Sequence, residues 1–325
     1  MPPRVALLRE VLPEGWAALQ AESWEVTLCE ASDRDSLRHI LSTHEAVIST
    51  LSHRIDASLM AEISGGPLKI IANHGVGYEN LDVAAIQAAG IWATHTPDVL
   101  TEATAEMAWA LLLNLARRIG EGERLVRSGQ WQGWAPNQLL GTGLRGKTLG
   151  IVGCGRIGQA FGRIAHFFGM RLTYFNRSRQ TAFEQATGAI SLPLEELLAQ
   201  ADVVSLHLPA NAESYHLLNR RRLQLLKPTA LLVNTGRGTA IEEAALVELL
   251  KAGHLGGAAL DVYEYEPKLS DGLTELENVV LAPHLGSATR ETRLAMLLCC
   301  RDNIRAVLMG EKPPNPCPIP LAPLQ

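Results

Sequence analysis

Three stretches of the chain end in side chains that could do acid–base chemistry on a polarised carbonyl: "VNTGRGT", "DVYEYEP" and "LAPHLGSAT". The strand runs that lead into them close on Arg237, Glu266 and His284. An arginine fork can grip a carboxylate and stabilise charge developing on an oxygen. A histidine titrates near neutrality and can deliver a proton, and a carboxylate beside it can orient it. Each residue also has a plainer reading: Arg237 as a turn residue between two glycines, Glu266 as a surface acid before Pro267, and His284 as a loop histidine after Pro283. Ligands of open α/β sheets bind beyond the carboxyl ends of the strands, so their shared position points to one crevice.

A second constellation precedes them. "LGIVGCGRIGQAFGRIAHFFG" spaces Gly153, Gly155 and Gly158 as G-x-G-x-x-G between an apolar strand and an amphipathic helix. Gly153 permits the tight turn, Gly155 lets a pyrophosphate approach the backbone, and Gly158 lets helix and strand pack closely. The helix start offers unpaired amides and a partial positive charge to phosphate. The next strand, "LTYFN", ends on Asn176, 18 residues beyond Gly158, close to the offset of about 20 at which an acidic residue reads the ribose. Asn176 lacks that charge, and Arg177, Ser178 and Arg179 follow it. An acid there repels a 2′-phosphate, whereas arginines bind one, so the stretch favours NADP(H), with NAD(H) as the other admissible cofactor. The plainer reading is a solvated basic turn.

Short β-branched runs alternate with helical patterns along most of the chain, the mark of parallel sheets flanked by helices. "RVALL", "EVTLC", "AVIST", "LKIIAN" and "GIWATH" form a first series. From "TPDVLTEATAEMAWALLLNLARRIGEGERLVRSG" the pattern becomes long apolar helix, with Pro97 fitting a helix entry. A second α/β series runs from "KTLGIVG" to "NVVLAPHLG", and a last helical stretch, "RETRLAMLLCCRDNIRAVLMG", is expected to return to the first unit. The Pro-rich end "EKPPNPCPIPLAPLQ" reads as an extended tail over the surface. The 325 residues are 47% hydrophobic with a net charge of −5, which suits a globular protein and gives no reason to expect nucleic acid or an anionic membrane as partner. Five cysteines show no metal-ligand spacing and read as reduced thiols. The apolar run at the start is too short for a signal peptide or a span, so a cytoplasmic location is expected.

With these motifs in order, the chain resembles the D-isomer-specific 2-hydroxyacid dehydrogenases over nearly its whole length. "HGVGYENLD", "TPDVLTEATAEMAWALLL", "GKTLGIVGCGRIGQAFGR", "DVVSLHLP", "LLVNTGRGTAIEEAAL", "GGAALDVYEYEP" and "NVVLAPHLGSAT" carry the resemblance. Within that family, "SGQWQGWAPNQLLGTGLRGKTLGIVG" is most similar to glyoxylate/hydroxypyruvate reductases, including the 2-ketogluconate type. The resemblance implies an α/β fold of two domains. A Rossmann-type doubly wound parallel sheet (99–287, with dimerisation helices and loop) would be inserted in a flavodoxin-like substrate domain (1–98 plus 288–325). It implies that Arg237 binds the substrate carboxylate and polarises the 2-oxo group, that His284 is the general acid, and that Glu266 hydrogen-bonds that histidine. The amides of Val76 and Gly77 would hold the carboxylate, with His74 beside them and Leu51 on the wall. Trp134 would reach the partner's site from a loop that also holds Trp131. Thr104, Arg156 and Ile157 would join the glycines at the phosphates, His207 and Pro209 would line the adenosine side, and Thr235, Asp261 and Gly286 would surround the nicotinamide. His53 and His74 show no metal geometry and read as polar loop residues. The implied activity is NADPH-dependent reduction of glyoxylate, hydroxypyruvate or 2-ketogluconate to D-2-hydroxy acids by a homodimer. An NAD-dependent phosphoglycerate or D-lactate type dehydrogenase is one alternative, and a dinucleotide-sensing corepressor-like protein is another.

Overall fold

The computed structural model describes residues 1–63 and 65–319. Its first elements are β1 (Arg4–Leu7), α1 (Pro13–Gln20), β2 (Glu25–Leu28), α2 (Arg34–Thr43), β3 (Ala46–Ser49), α3 (Ala57–Glu62), β4 (Ile70–Asn73), α4 (Val83–Ala88) and β5 (Trp92–Thr94). There follow α5 (Thr101–Arg117), α6 (Ile119–Arg127), β6 (Thr148–Val152), α7 (Arg156–Phe167), β7 (Arg171–Phe175), α8 (Thr181–Thr187) and β8 (Ile190–Ser191). The series ends with α9 (Leu194–Gln200), β9 (Val203–Leu206), α10 (Arg220–Leu223), β10 (Leu231–Asn234), α11 (Glu243–Lys251), β11 (Gly257–Leu260), β12 (Val279–Leu281) and α12 (Arg290–Leu308). Two units result: Met1–Leu100 together with the described residues from Ala288 on, and Thr101–Ser287.

The first unit holds a parallel sheet in the order β2-β1-β3-β4-β5, the flavodoxin-like doubly wound order. β3 and β4 are buried at every position, as strands covered by helices on both faces must be. Asp33, Asp56 and Asp82 accept backbone amides at the starts of α2, α3 and α4, and Asp33 with Ser36 completes a capping box. The last helix, α12, buries Met296, Leu297, Cys300, Ile304 and Val307, and Leu297, Cys300, Ile304 and Val307 belong to the core formed by Val5, Leu19, Ile48 and Ile70.

The Pro-rich end departs from the surface tail expected. The His95 amide donates to Asn315 O at 3.1 Å and the Cys317 amide to Ala93 O at 2.8 Å. The Asn315 amide donates to Asn303 Oδ1 on α12 at 2.8 Å, and Cys317 is only 2% exposed. The open edge of β5 thus supplies a docking line that outweighs the solubility of the prolines. The rest of the expected tail, 320–325, lies outside the described residues. Pro97 precedes the helix entry: α5 begins at Thr101, and Asp98, between the two, stands at φ 69°.

The second unit holds a seven-stranded parallel sheet, β12-β11-β10-β9-β6-β7-β8. It is the Rossmann order extended by one strand, with its switch point between β6 and β9. The long apolar stretch divides at Arg118, whose φ of 54° ends α5 and starts α6. A β-carbon on Gly141 would fall 2.3 Å from Ala116 O, and the Thr142 amide takes that same carbonyl at 2.7 Å. The chain therefore crosses the end of α5 at backbone contact distance. Trp109 on α5 packs its ring against Phe161 and Phe168 at 5.6 and 4.6 Å.

His74 illustrates how burial couples the first unit's stability to pH. Its Nε2 donates to Arg293 O on α12 at 3.3 Å. Burial holds its pKa down to about 4; the bond to the Arg293 carbonyl opposes this and the Arg293 charge adds to it. The unfolded chain takes up a proton below about pH 6.5 while the folded chain does not, so stability is full above that value and falls toward pH 4. The expected loss is at most about 3 kcal/mol over that window. Urea titrations at pH 7 and pH 4.5 should show a smaller difference for His74→Asn than for the parent, and equal differences would refute the coupling.

Candidate active site

The glycine loop follows β6 at the sheet's switch point. Gly153 has φ 92°, and a β-carbon there would lie 2.6 Å from His207 O, so both conformation and space require glycine. A β-carbon on Gly158 would lie 2.3 Å from Gly153 O, which brings α7 against the turn. Around Gly155 there is open space, and as the N-cap of α7 it places no side chain of its own over the helix start. The turn is therefore a backbone cradle of the kind that receives phosphate. Two buried polar atoms beside it, His207 Nδ1 at the end of β9 and Thr235 Oγ1 at the end of β10, lack a partner among the described residues. Orphaned groups at such a place suit a polar ligand. His207 Nε2 bonds Ser205 Oγ at 2.9 Å, and burial drives its pKa down to about 3. Pro209 directs its carbonyl to Ser214 Oγ at 2.6 Å.

At the end of β7 the basic turn has internal structure. Asn176 Nδ2 donates to Ser178 O at 3.0 Å. Arg179 forks onto Glu184, with Nε at 3.2 Å and Nη2 at 2.7 Å, and Tyr174 Oη also donates to that carboxylate at 2.5 Å. Among the described residues Arg177 meets Glu213 alone, at 3.5 Å, between side chains that are both exposed.

Arg237, Glu266 and His284 come from the loops after β10, β11 and β12. Gly236 and Gly238 flank the arginine because the backbone is crowded on both sides. A β-carbon on Gly236 would lie 3.0 Å from Leu208 N and O, and one on Gly238 would lie 1.9 Å from the Tyr263 carbonyl carbon. Asn234 braces the turn, donating to Arg237 O at 2.9 Å and accepting from the Gly236 amide at 3.0 Å. Glu266 Oε2 bonds His284 Nδ1 at 2.9 Å while Oε1 accepts the Tyr263 amide at 3.1 Å. Burial works against ionisation of Glu266, but the His284 bond and charge, the Tyr263 amide and the Arg237 charge together hold its carboxyl below the usual range. His284 stands at φ 56°. The fully buried Asp261 binds the amides of Leu285 and Gly286 at 2.6 and 2.7 Å and so fixes the turn that carries it. Burial raises the Asp261 carboxyl, and those amides and the His284 charge oppose the rise. A β-carbon on Gly286 would sit 3.3 Å from Asp261 Oδ2 and 3.4 Å from Thr104.

Sequence reasoning passed over the residues that hold Glu266's loop. Glu243, 2% exposed, accepts the amides of Glu264 and Ser270 at 3.0 and 2.8 Å. Glu264 returns the contact, accepting the Glu243 amide at 3.1 Å and pairing with His216 Nε2 at 2.6 Å. The only sequence signal was a glutamate at the first turn of a helix in "IEEAAL".

In the first unit, Leu51 follows β3, and His74, Val76 and Gly77 lie in the loop between β4 and α4. His53 is buried, with Nδ1 accepting the Thr50 amide at 3.3 Å. Trp131 and Trp134 sit in the irregular segment after α6, Trp134 being 84% exposed. Open grooves of about 490 and 550 Å³ beside Arg118 and Glu277 contain none of the triad. Among the described residues no three His, Cys, Asp or Glu side chains are grouped to hold a metal. No helix there is long and apolar enough to cross a membrane.

The family described as "D-isomer specific 2-hydroxyacid dehydrogenase, NAD binding domain" matches residues 109–286. The chain is 43% identical over 322 residues to a glyoxylate reductase of Thermococcus litoralis, covering 97% of this chain and 96% of that one. It is 44% identical over 330 residues to a glyoxylate reductase of Aeropyrum pernix, covering 96% and 95%. Among solved structures it is similar to a Thermus thermophilus protein with a TM-score of 0.90 at 43% identity, covering 97% of this chain and 100% of that one. A Sinorhizobium meliloti structure, an NADPH-dependent glyoxylate/hydroxypyruvate reductase in complex with NADP and malonate, gives a TM-score of 0.87 at 32% identity, covering all of both chains.

Glu243→Ala is expected to leave the amides of Glu264 and Ser270 without acceptors, lowering unfolding free energy by about 2 kcal/mol. Because Glu264 lies two residues before Glu266, kcat should fall as well. Denaturation and turnover of the purified variant check this, and parental values in both would dismiss the brace.

Proposed function

The chain belongs to the D-isomer specific 2-hydroxyacid dehydrogenase family, and we propose that it reduces small 2-oxo acids, glyoxylate and hydroxypyruvate foremost and 2-ketogluconate after them, to D-2-hydroxy acids with NADPH. The observation that carries this reading is the Glu266–His284 bond of 2.9 Å beyond the strands of the sheet that bears the glycine loop. NADPH, when bound, supplies hydride to C2. With Nδ1 of His284 committed to Glu266, its Nε2 is the nitrogen left to give a proton to the carbonyl oxygen. Arg237 binds the carboxylate and stabilises charge on that oxygen more strongly as it develops. The amides of Val76 and Gly77 take the carboxylate, with His74 and Leu51 near it. Thr104, Gly153, Gly155, Arg156, Ile157, Gly158, His207, Pro209, Thr235, Asp261 and Gly286 hold the cofactor.

The preference for NADPH rests on the turn after β7. Asn176 puts no negative charge at the ribose, and the described ion pair of Arg177 is an exposed one of the kind worth about 0–1 kcal/mol, easily exchanged for a phosphate. Arg179 is committed to the largely buried Glu184 and backs the turn. The same unit exposes Ile119, Val126, Trp131, Trp134 and Leu140. An apolar set of that size supports a homodimer, with Trp134 reaching the partner's substrate. Five unpaired cysteines suit a cytoplasmic enzyme.

Steady-state assays should show reduction of glyoxylate and hydroxypyruvate, and no turnover of any 2-oxo acid would overturn the reading. Arg237→Lys should lower kcat/KM on the order of 10²-fold while NADPH still binds. NADPH should be favoured over NADH at least about tenfold, or about 1.4 kcal/mol. Arg177→Ala should erase that preference through NADPH alone, whereas Arg179→Ala, which loosens the turn, should weaken both cofactors. Equal use of both by the parent would return the stretch to a solvated turn.

A further inference from the structure

The loop that follows β4 holds its carbonyls in an ordered way. Gly75 O accepts the Thr96 amide at 3.0 Å. Val76 O accepts His95 Nδ1 at 2.9 Å, and Gly77 O accepts Asn73 Nδ2 at 2.7 Å. In a planar trans peptide the N–H points opposite to the C=O. Each of these bonds therefore turns the amide of the next residue, Val76, Gly77 or Tyr78, away from its holder. None of the three amides donates within the described hydrogen bonds of the unit.

The holders differ in kind. Thr96 acts through its backbone, just past β5. Asn73 is fully buried and shares its Oδ1 with Ser49 and Asn80 at 3.2 Å each. His95 is the one that acts through an ionisable ring. A carbonyl oxygen can only accept, so Nδ1 of His95 carries hydrogen in this arrangement. The ring is steadied by an edge-on contact with Tyr78, centroids 5.2 Å apart, and the His95 backbone by its bond to Asn315. Asn315 in turn is bound to Asn303 on α12. A hydrogen bond donated to one end of a peptide also polarises it, making the N–H at the other end a stronger donor.

We infer that His95 is a positioning residue for substrate binding: through Val76 O it aims and polarises the Gly77 amide that receives the substrate carboxylate. This rests on the assignment of that amide to the carboxylate under the proposed function. The docked Pro-rich segment thereby acquires a functional consequence, since Asn315 holds the histidine from its backbone side.

The test compares two replacements that are alike in polarity. Asparagine can place a donor near the position of Nδ1, whereas the donor of glutamine falls nearer that of Nε2. His95→Asn should keep the affinity for oxamate within about twofold, and His95→Gln should weaken it about tenfold, the size of one hydrogen bond to a charged group. KM for glyoxylate should follow the oxamate affinity, with kcat and NADPH affinity nearly unchanged, and thermal unfolding should show both variants folded. Equal oxamate affinities in parent and both variants would overturn the inference, as would an equal loss in both. A parent that binds oxamate yet turns over no 2-oxo acid would overturn the proposed function instead. The Asn–Gln contrast in oxamate binding would then still decide the role of His95.

Discussion

The buried carboxylate of Asp261 is the interaction on which the rest of the chemistry depends. It has no exposure, and it binds two consecutive amides, Leu285 and Gly286, immediately after the histidine. A non-glycine residue at φ 56° is costly unless its surroundings hold it there. The two amide bonds, with the His284 amide on Asp261 O at 2.9 Å, supply that hold. The histidine can then meet Glu266 without searching for it, which is how a rigid scaffold lowers the cost of orienting a side chain. Burial raises the Asp261 carboxyl above its usual range, and the amides of Leu285 and Gly286 and the neighbouring imidazole oppose that rise.

The sequence places Arg237, Glu266 and His284 after successive strand runs, and the structure puts them in the loops after β10, β11 and β12, whose ends share one edge of the sheet. The glycines around it were legible for a steric reason that the structure makes explicit. Gly238 leaves no room for a β-carbon beside the Tyr263 carbonyl, and Gly158 leaves none beside Gly153 O. The parallel α/β class followed from the alternation of β-branched runs with helices, whereas the order of the strands came only with the structure. What could not be read were interactions whose partners lie far apart in the chain. Glu243 looked like an ordinary first-turn acid, yet it secures a loop 21 and 27 residues downstream. The division at Arg118 depends on the segment at Gly141 and Thr142 crossing the helix end. The proline-rich end was misread for the same reason: composition describes how soluble a segment is, and the unpaired edge of β5 decides where it goes.

The same distinction governs the turn after β7. Counting charges gives two arginines for a phosphate, and the sequence supports no finer statement. The structure separates them by their partners. Glu184 lies where the Tyr174 hydroxyl and the Arg179 fork both reach it, and its carboxyl is held below the usual range by those two bonds. Two bonds from the Arg179 fork reach that carboxylate, so the arginine stays with the turn. Arg177 faces the opposite balance, since its partner Glu213 is exposed and 3.5 Å away. One arginine of the pair therefore shapes the turn, and under the proposed function the other would read the ribose. A basic cluster is a statement about charge, and the side chain that can change partners is the one that confers specificity.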